Sequence, residues 1–120
     1  MKSISMPGCI MVILLAGCSS MKTPATANVA VSNAAVNNAS SAGGAEYAPL
    51  EMRSAREKME QANLALKDKD YEKADGLAKA AEADAKLAQS KADTAKAQAA
   101  AAALQKDIQV LQDQINHSNQ

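Results

Sequence analysis

The chain has no tryptophan, no phenylalanine and only two tyrosines in 120 residues. Without large rings a conventional globular core is hard to build. Alanine occurs 28 times, and each buried alanine methyl contributes on the order of 0.8 kcal/mol. This composition predicts long helices held by close backbone approach. An excess charge of one sign is also missing, since thirteen acids balance thirteen bases. With no basic face and no aromatic platform, nucleic acid is excluded as an expected partner. No Gly-rich phosphate loop and no Ser-His-Asp or Cys-His set is present, so neither an enzyme nor a small-molecule substrate is expected. His117 is the single histidine, and no second histidine or thiol can join it around a metal, so no metal site is expected.

Only two cysteines occur, Cys9 and Cys18, both in the opening stretch. Met1–Gly17 reads as an export signal: Lys2 supplies the positive start, Ile10–Ala16 is the apolar run, and small residues follow. That run is far shorter than the roughly 20 residues needed to cross a bilayer. Leu15-Ala16-Gly17-Cys18 resembles the bacterial lipobox. The resemblance implies that the Cys18 sulfur takes a diacylglycerol, that the chain is cut before it, and that the new amine is acylated, typically with palmitate. The competing reading is an ordinary secretory signal with an unmodified cysteine. Under the lipobox reading Cys9 leaves with the signal and disulfides are excluded. No cofactor is expected beyond the lipid itself, and more than one acyl chain makes the membrane anchor stable. Ser19 stands where lipoproteins retained in the inner membrane carry Asp, which by resemblance directs the chain to the outer membrane, facing the periplasm.

From Ser19 to Ala45 the only charge is Lys22, and large apolar groups are too few to offset ordering entropy. The sequence therefore predicts a flexible tether reaching roughly 30 Å on average. The predicted division is a signal peptide over 1–17, the lipidated cysteine and linker over 18–45, and a helical domain over 46–120.

Pro49 suits the first turn of a helix. Ala48, Met52, Ala55, Met59, Ala62 and Leu66 then recur at spacings of 4, 3, 4, 3 and 4, a stripe of alternating small and large members. The charged run Lys67–Asp70 breaks it, and Asp70 is a good N-cap for a second helix over about 71–116. That helix carries an alanine seam: Ala74, Ala78, Ala81, Ala85, Ala88, Ala92, Ala95 and Ala99. A short connection makes the two helices antiparallel neighbours, with Met and Leu knobs lying on the alanine surface. The predicted register sets Arg56 opposite Glu82 and Lys58 opposite Asp84. The fold class expected is all-α: an antiparallel helical hairpin with a long, Ala-rich, coiled-coil-like second helix, after a signal peptide and a disordered tether.

A second stripe runs along another face of the long helix: Ala80, Ala83, Leu87, Ser90, Thr94, Ala97, Ala101, Leu104, Ile108, Leu111 and Ile115. The first helix is too short to cover its end. Left bare, each of the last four side chains forgoes about 1.5–3 kcal/mol of burial, so association through Leu104, Ile108, Leu111 and Ile115 is expected, with a second copy or with another helical envelope protein.

The segment Tyr47–Ala92, with its Ala-Pro-Leu entry, its Asp-Tyr turn and its alternating Ala-rich helix, resembles a family of bacterial envelope lipoproteins known as domain of unknown function 4398. The likeness runs from about Tyr47 to the end. It implies a helical hairpin in the cell envelope and brings no activity or functional residues with it. Two roles follow as expectations: a self-associating, lipid-anchored periplasmic spacer or structural organiser, or an adaptor docking another envelope or wall-associated protein through Leu104–Ile115.

Overall fold

The computed structural model describes residues 22–119. Every element among them is a helix: α1 (Lys22–Ser41), α2 (Gly44–Tyr47), α3 (Pro49–Lys67) and α4 (Tyr71–Ser118). The all-α class holds, with one correction. The stretch expected to be a flexible tether is helical from Lys22 to Ser41, and the hairpin is a three-helix bundle.

The reason lies in α1 itself. Ala25, Val29, Ser32, Val36 and Ala39 are buried, at spacings of 4, 3, 4 and 3. Small side chains at that period make one face of a helix, and α3 and α4 supply the surface that covers it. Valine, asparagine and threonine are mediocre helix formers, so packing is what stabilises α1 as a helix. Asn28 Nδ2 donates to Asp75 Oδ1 near the start of α4, and Lys96 comes close to Gly43 beyond the end of α1. The two helices therefore run parallel. α3 returns antiparallel to both, its Arg56 reaching Ser40 and its Lys58 reaching Asp84.

Two turns fix this order. After α1, Gly43 takes φ +90°, a conformation that an L side chain resists. At Gly44 a Cβ would stand 2.7 Å from the Ala39 carbonyl oxygen and 3.0 Å from Met52 Sδ, so the turn packs too closely here for any side chain. Between α3 and α4, Lys69 adopts φ 61°. The Asp70 N–H bonds to the Ala65 carbonyl at 2.9 Å and the Lys69 N–H to that of Leu66 at 3.1 Å, closing a Schellman cap. Asp70 then caps α4, its carboxylate accepting from the Lys73 N–H at 3.2 Å.

The core joins Val29, Val36 and Ala39 of α1 to Met52, Ala55, Met59 and Ala62 of α3, over the alanines of α4. Met52 is its largest fully buried side chain. One polar group sits inside it: the Ser32 hydroxyl is buried with no hydrogen-bond partner.

Candidate interaction surface

The geometry of α4 determines what is covered and what is open. On its inner side Ala74, Ala78, Ala81, Ala85, Ala88 and Ala92 are fully buried. Opposite them Met52, Ala55, Met59 and Ala62 are buried from α3, while Leu66 is only half-buried and the deep position at that level belongs to Ala65. The inner seam was expected to continue through Ala95 and Ala99. Ala95 is half-buried and Ala99 exposed, because α1 and the start of α3 end at this level.

Charged contacts settle the register. Lys58 Nζ donates to Asp84 Oδ2 at 2.5 Å, and Ser54 Oγ donates to the same oxygen at 2.6 Å. The second expected pair does not form. Arg56 Nη2 donates to Ser40 of α1 at 3.1 Å, and Glu82 pairs with Lys86 at 2.6 Å. Residues two apart on a helix point about 200° from each other, so Arg56 and Lys58 could not both face α4. Lys91 pairs with Glu51, and Lys79 with Asp75.

These contacts move three carboxyls. Burial pushes Asp84 up, but the bonds from Lys58 and Ser54 outweigh it and its pKa lies below its usual value. Lys91 lowers Glu51, and Lys79 with Asn28 lowers Asp75.

Beyond the bundle α4 continues alone. Every residue from Lys96 to Asn119 is exposed. From Ala97 to Ser118 this is about 22 residues, a bare helix of roughly 33 Å. Its backbone is suited to stand free, with five consecutive alanines over 99–103. Side chains also tie down its end: Ser118 Oγ bonds to the Ile115 carbonyl, and His117 Nδ1 lies 2.9 Å from that of Asp113. On this helix Leu104, Ile108, Leu111 and Ile115 form one stripe with exposures of 63, 48, 57 and 59%. Val110 is also exposed but stands off that line. The stripe continues towards the bundle along the outer side of α4, through the exposed residues Ala97, Thr94, Ser90, Leu87 and Ala83, roughly opposite the buried seam.

The face of α1 that closes the bundle escaped the sequence reading. Its signal was the 4-3-4-3 spacing of Ala25, Val29, Ser32, Val36 and Ala39, ended by Gly43-Gly44. Cys18 and Ser19, with the rest of the expected signal and lipobox, lie outside the described residues. No described helix is long and apolar enough to cross a membrane. Among the described residues no three His, Cys, Asp or Glu side chains are grouped to hold a metal ion.

A family model described as "Domain of unknown function (DUF4398)" matches residues 27–104. The match takes in most of α1, well before Tyr47, and stops at the first large residue of the bare stripe. No curated protein and no solved structure matches the chain.

Proposed function

The chain belongs to the DUF4398 family, and on that footing we propose that it is a lipid-anchored, non-catalytic envelope lipoprotein that associates with itself as a periplasmic spacer or structural organiser. Cys18 carries the diacylglycerol and acyl chain, and Ser19 directs it to the outer membrane. Residues 18–21 can span at most about 14 Å before α1 begins, so a bundle in place of a tether holds the protein at a fixed height. The observation that carries this reading is the bare stripe Leu104, Ile108, Leu111 and Ile115 at the end of α4. A spacer needs a rigid shaft and a means of lateral assembly, and α4 provides both on one helix.

The test is the solution molar mass of the segment Lys22–Gln120 over a concentration series. The mass is expected to rise from one chain to a discrete small multiple, and Ile108→Asp with Ile115→Asp to keep it at one chain throughout. A wild-type segment that stays monomeric into the millimolar range, the effective concentration that anchored copies experience, would refute self-association and turn attention to a different protein as the stripe's partner.

A further inference from the structure

We infer that the occupant of the stripe is a second copy of this chain, running parallel and in register, with the two α4 helices back to back. This rests on the lipid-anchored reading above, and four features of the fold lead to it.

First, the bundle places the anchor. α1 runs parallel to α4, with Asn28 beside Asp75, so Lys22 lies at the end where α4 begins. Cys18 precedes it by four residues, which puts the membrane at the α3–α4 turn and the bare stripe at the far end. From the level of Tyr71 to Ile115 the helix rises roughly 66 Å. Copies held in one leaflet present their stripes at the same height and in the same direction. An antiparallel pair would need anchors on opposite sides.

Second, the back of α4 is open along its length. Ala83, Leu87, Ser90, Thr94, Ala97 and Ala101 are all exposed on the side away from the covered alanine seam. Two α4 helices can meet there while each keeps α1 and α3 on its outer side. The small residues come first and the large ones last, so close approach near the bundle leads into aliphatic packing at the tip.

Third, the flanks suit identical partners. With Ile108 and Ile115 at a positions and Leu104 and Leu111 at d, the e positions are Gln98, Gln105 and Gln112, and the g positions are Ala100, Asp107 and Gln114. In a parallel pair these meet as Ala100–Gln105, Asp107–Gln112 and Gln114–Asn119. No like charges oppose each other in these three pairs, and the glutamines can bond across. Nearer the bundle Lys86 meets Lys91, and each is already paired within its own chain, with Glu82 and Glu51 respectively. Isoleucine at a with leucine at d favours two strands.

Fourth, the size of the seam matches an anchored protein. Four aliphatic layers extend only about 17 Å along the helix, and a contact that short buries well under the roughly 1,600 Å² of a standard stable interface. A shared anchor raises the effective concentration towards the millimolar range, so a seam that closes in free solution only at high concentration closes on a membrane.

The test places single cysteines in the full chain, produced with its own leader in a Gram-negative host and oxidised in the intact membrane. Radiolabelled palmitate is fed in parallel to report lipidation. Ala101→Cys sits on the stripe, Ser118→Cys lies one turn past Ile115 on the same line, and Lys106→Cys points away from it. For the parallel pair, Ala101→Cys and Ser118→Cys each crosslink to themselves, about tenfold faster than Lys106→Cys at the same effective concentration. Crosslinking only when Ala101→Cys and Ser118→Cys copies are mixed would show an antiparallel pair and overturn the inference. Equal, collision-limited crosslinking at all three positions would overturn it as well. Palmitate on the chain with either adverse result leaves the lipoprotein reading standing without this geometry. An unlabelled chain removes the anchor, and with it the basis for parallel pairing.

Discussion

The two halves of α4 are both rich in alanine and opposite in circumstance. Over Tyr71–Ala92 the helix buries six alanines against α1 and α3. Over the second half it buries nothing and displays Leu104, Ile108, Leu111 and Ile115. The smallest side chains are inside and the largest outside, the reverse of the usual order. In the first half alanine serves approach: three helices come close enough for Met52 and Met59 to fill what space remains. In the second half the aliphatic side chains have no counterpart among the described residues. The bundle is complete in itself, whereas the tip is bare.

The sharpest contrast comes from truncating one large side chain in each region. Met52→Ala removes the largest fully buried side chain and should cost about 3 kcal/mol of bundle stability. Leu104→Ala, at a residue 63% exposed, should leave the monomer's unfolding midpoint unchanged and weaken only association. Urea unfolding at low concentration separates the two, and equal losses would break the comparison.

Next in size is Gly44→Ala. Its Cβ would meet the Ala39 carbonyl oxygen, a backbone atom that cannot swing aside, and about 2 kcal/mol should be lost. Circular dichroism should show lower thermal stability. An unchanged melting temperature would mean that α1 docks more loosely than its burial implies.

Ser32→Ala should act in the opposite direction. Removing a buried hydroxyl that has no partner is expected to stabilise the bundle by about 1 kcal/mol, measured by the same urea titration.

The smallest effect is electrostatic. Glu51, Asp75 and Asp84 all have pKa values lowered by their partners, so each binds its proton more weakly folded than unfolded. Their contribution is in place above the ordinary values of 4.5 for Glu51 and 3.8 for the two Asp. It is lost as pH falls through and below that range. The bundle's melting temperature should hold from neutral pH to about 5 and then decline. Asp84→Asn should reduce that decline, because the Lys58 pair is already gone.

Much of this was legible from residue spacing. The Met and Ala stripe of α3 and the alanine seam of α4 follow period 3.5, and Pro49 and Asp70 mark where those helices begin. The large aliphatic residues of the tip signalled their own exposure, because no other segment was long enough to cover them. α1 was hidden for a physical reason. Its inward face is Ala, Val, Ser, Val and Ala, too small and too polar to announce a core, and it orders only because α3 and α4 provide a surface. The misassigned Arg56 has the same origin: without α1 in place, Ser40 was not available as its partner.

The most direct test of the account is hydrogen exchange along α4 in the segment Lys22–Gln120, measured at low and at high concentration. The amides of 74–92 should be strongly protected at both. Those of 98–115 should exchange quickly when dilute and become protected as copies associate. Protection of the tip that does not depend on concentration, or a tip that stays unprotected when concentrated, would contradict the claim that this half of the helix is completed by another copy of the chain.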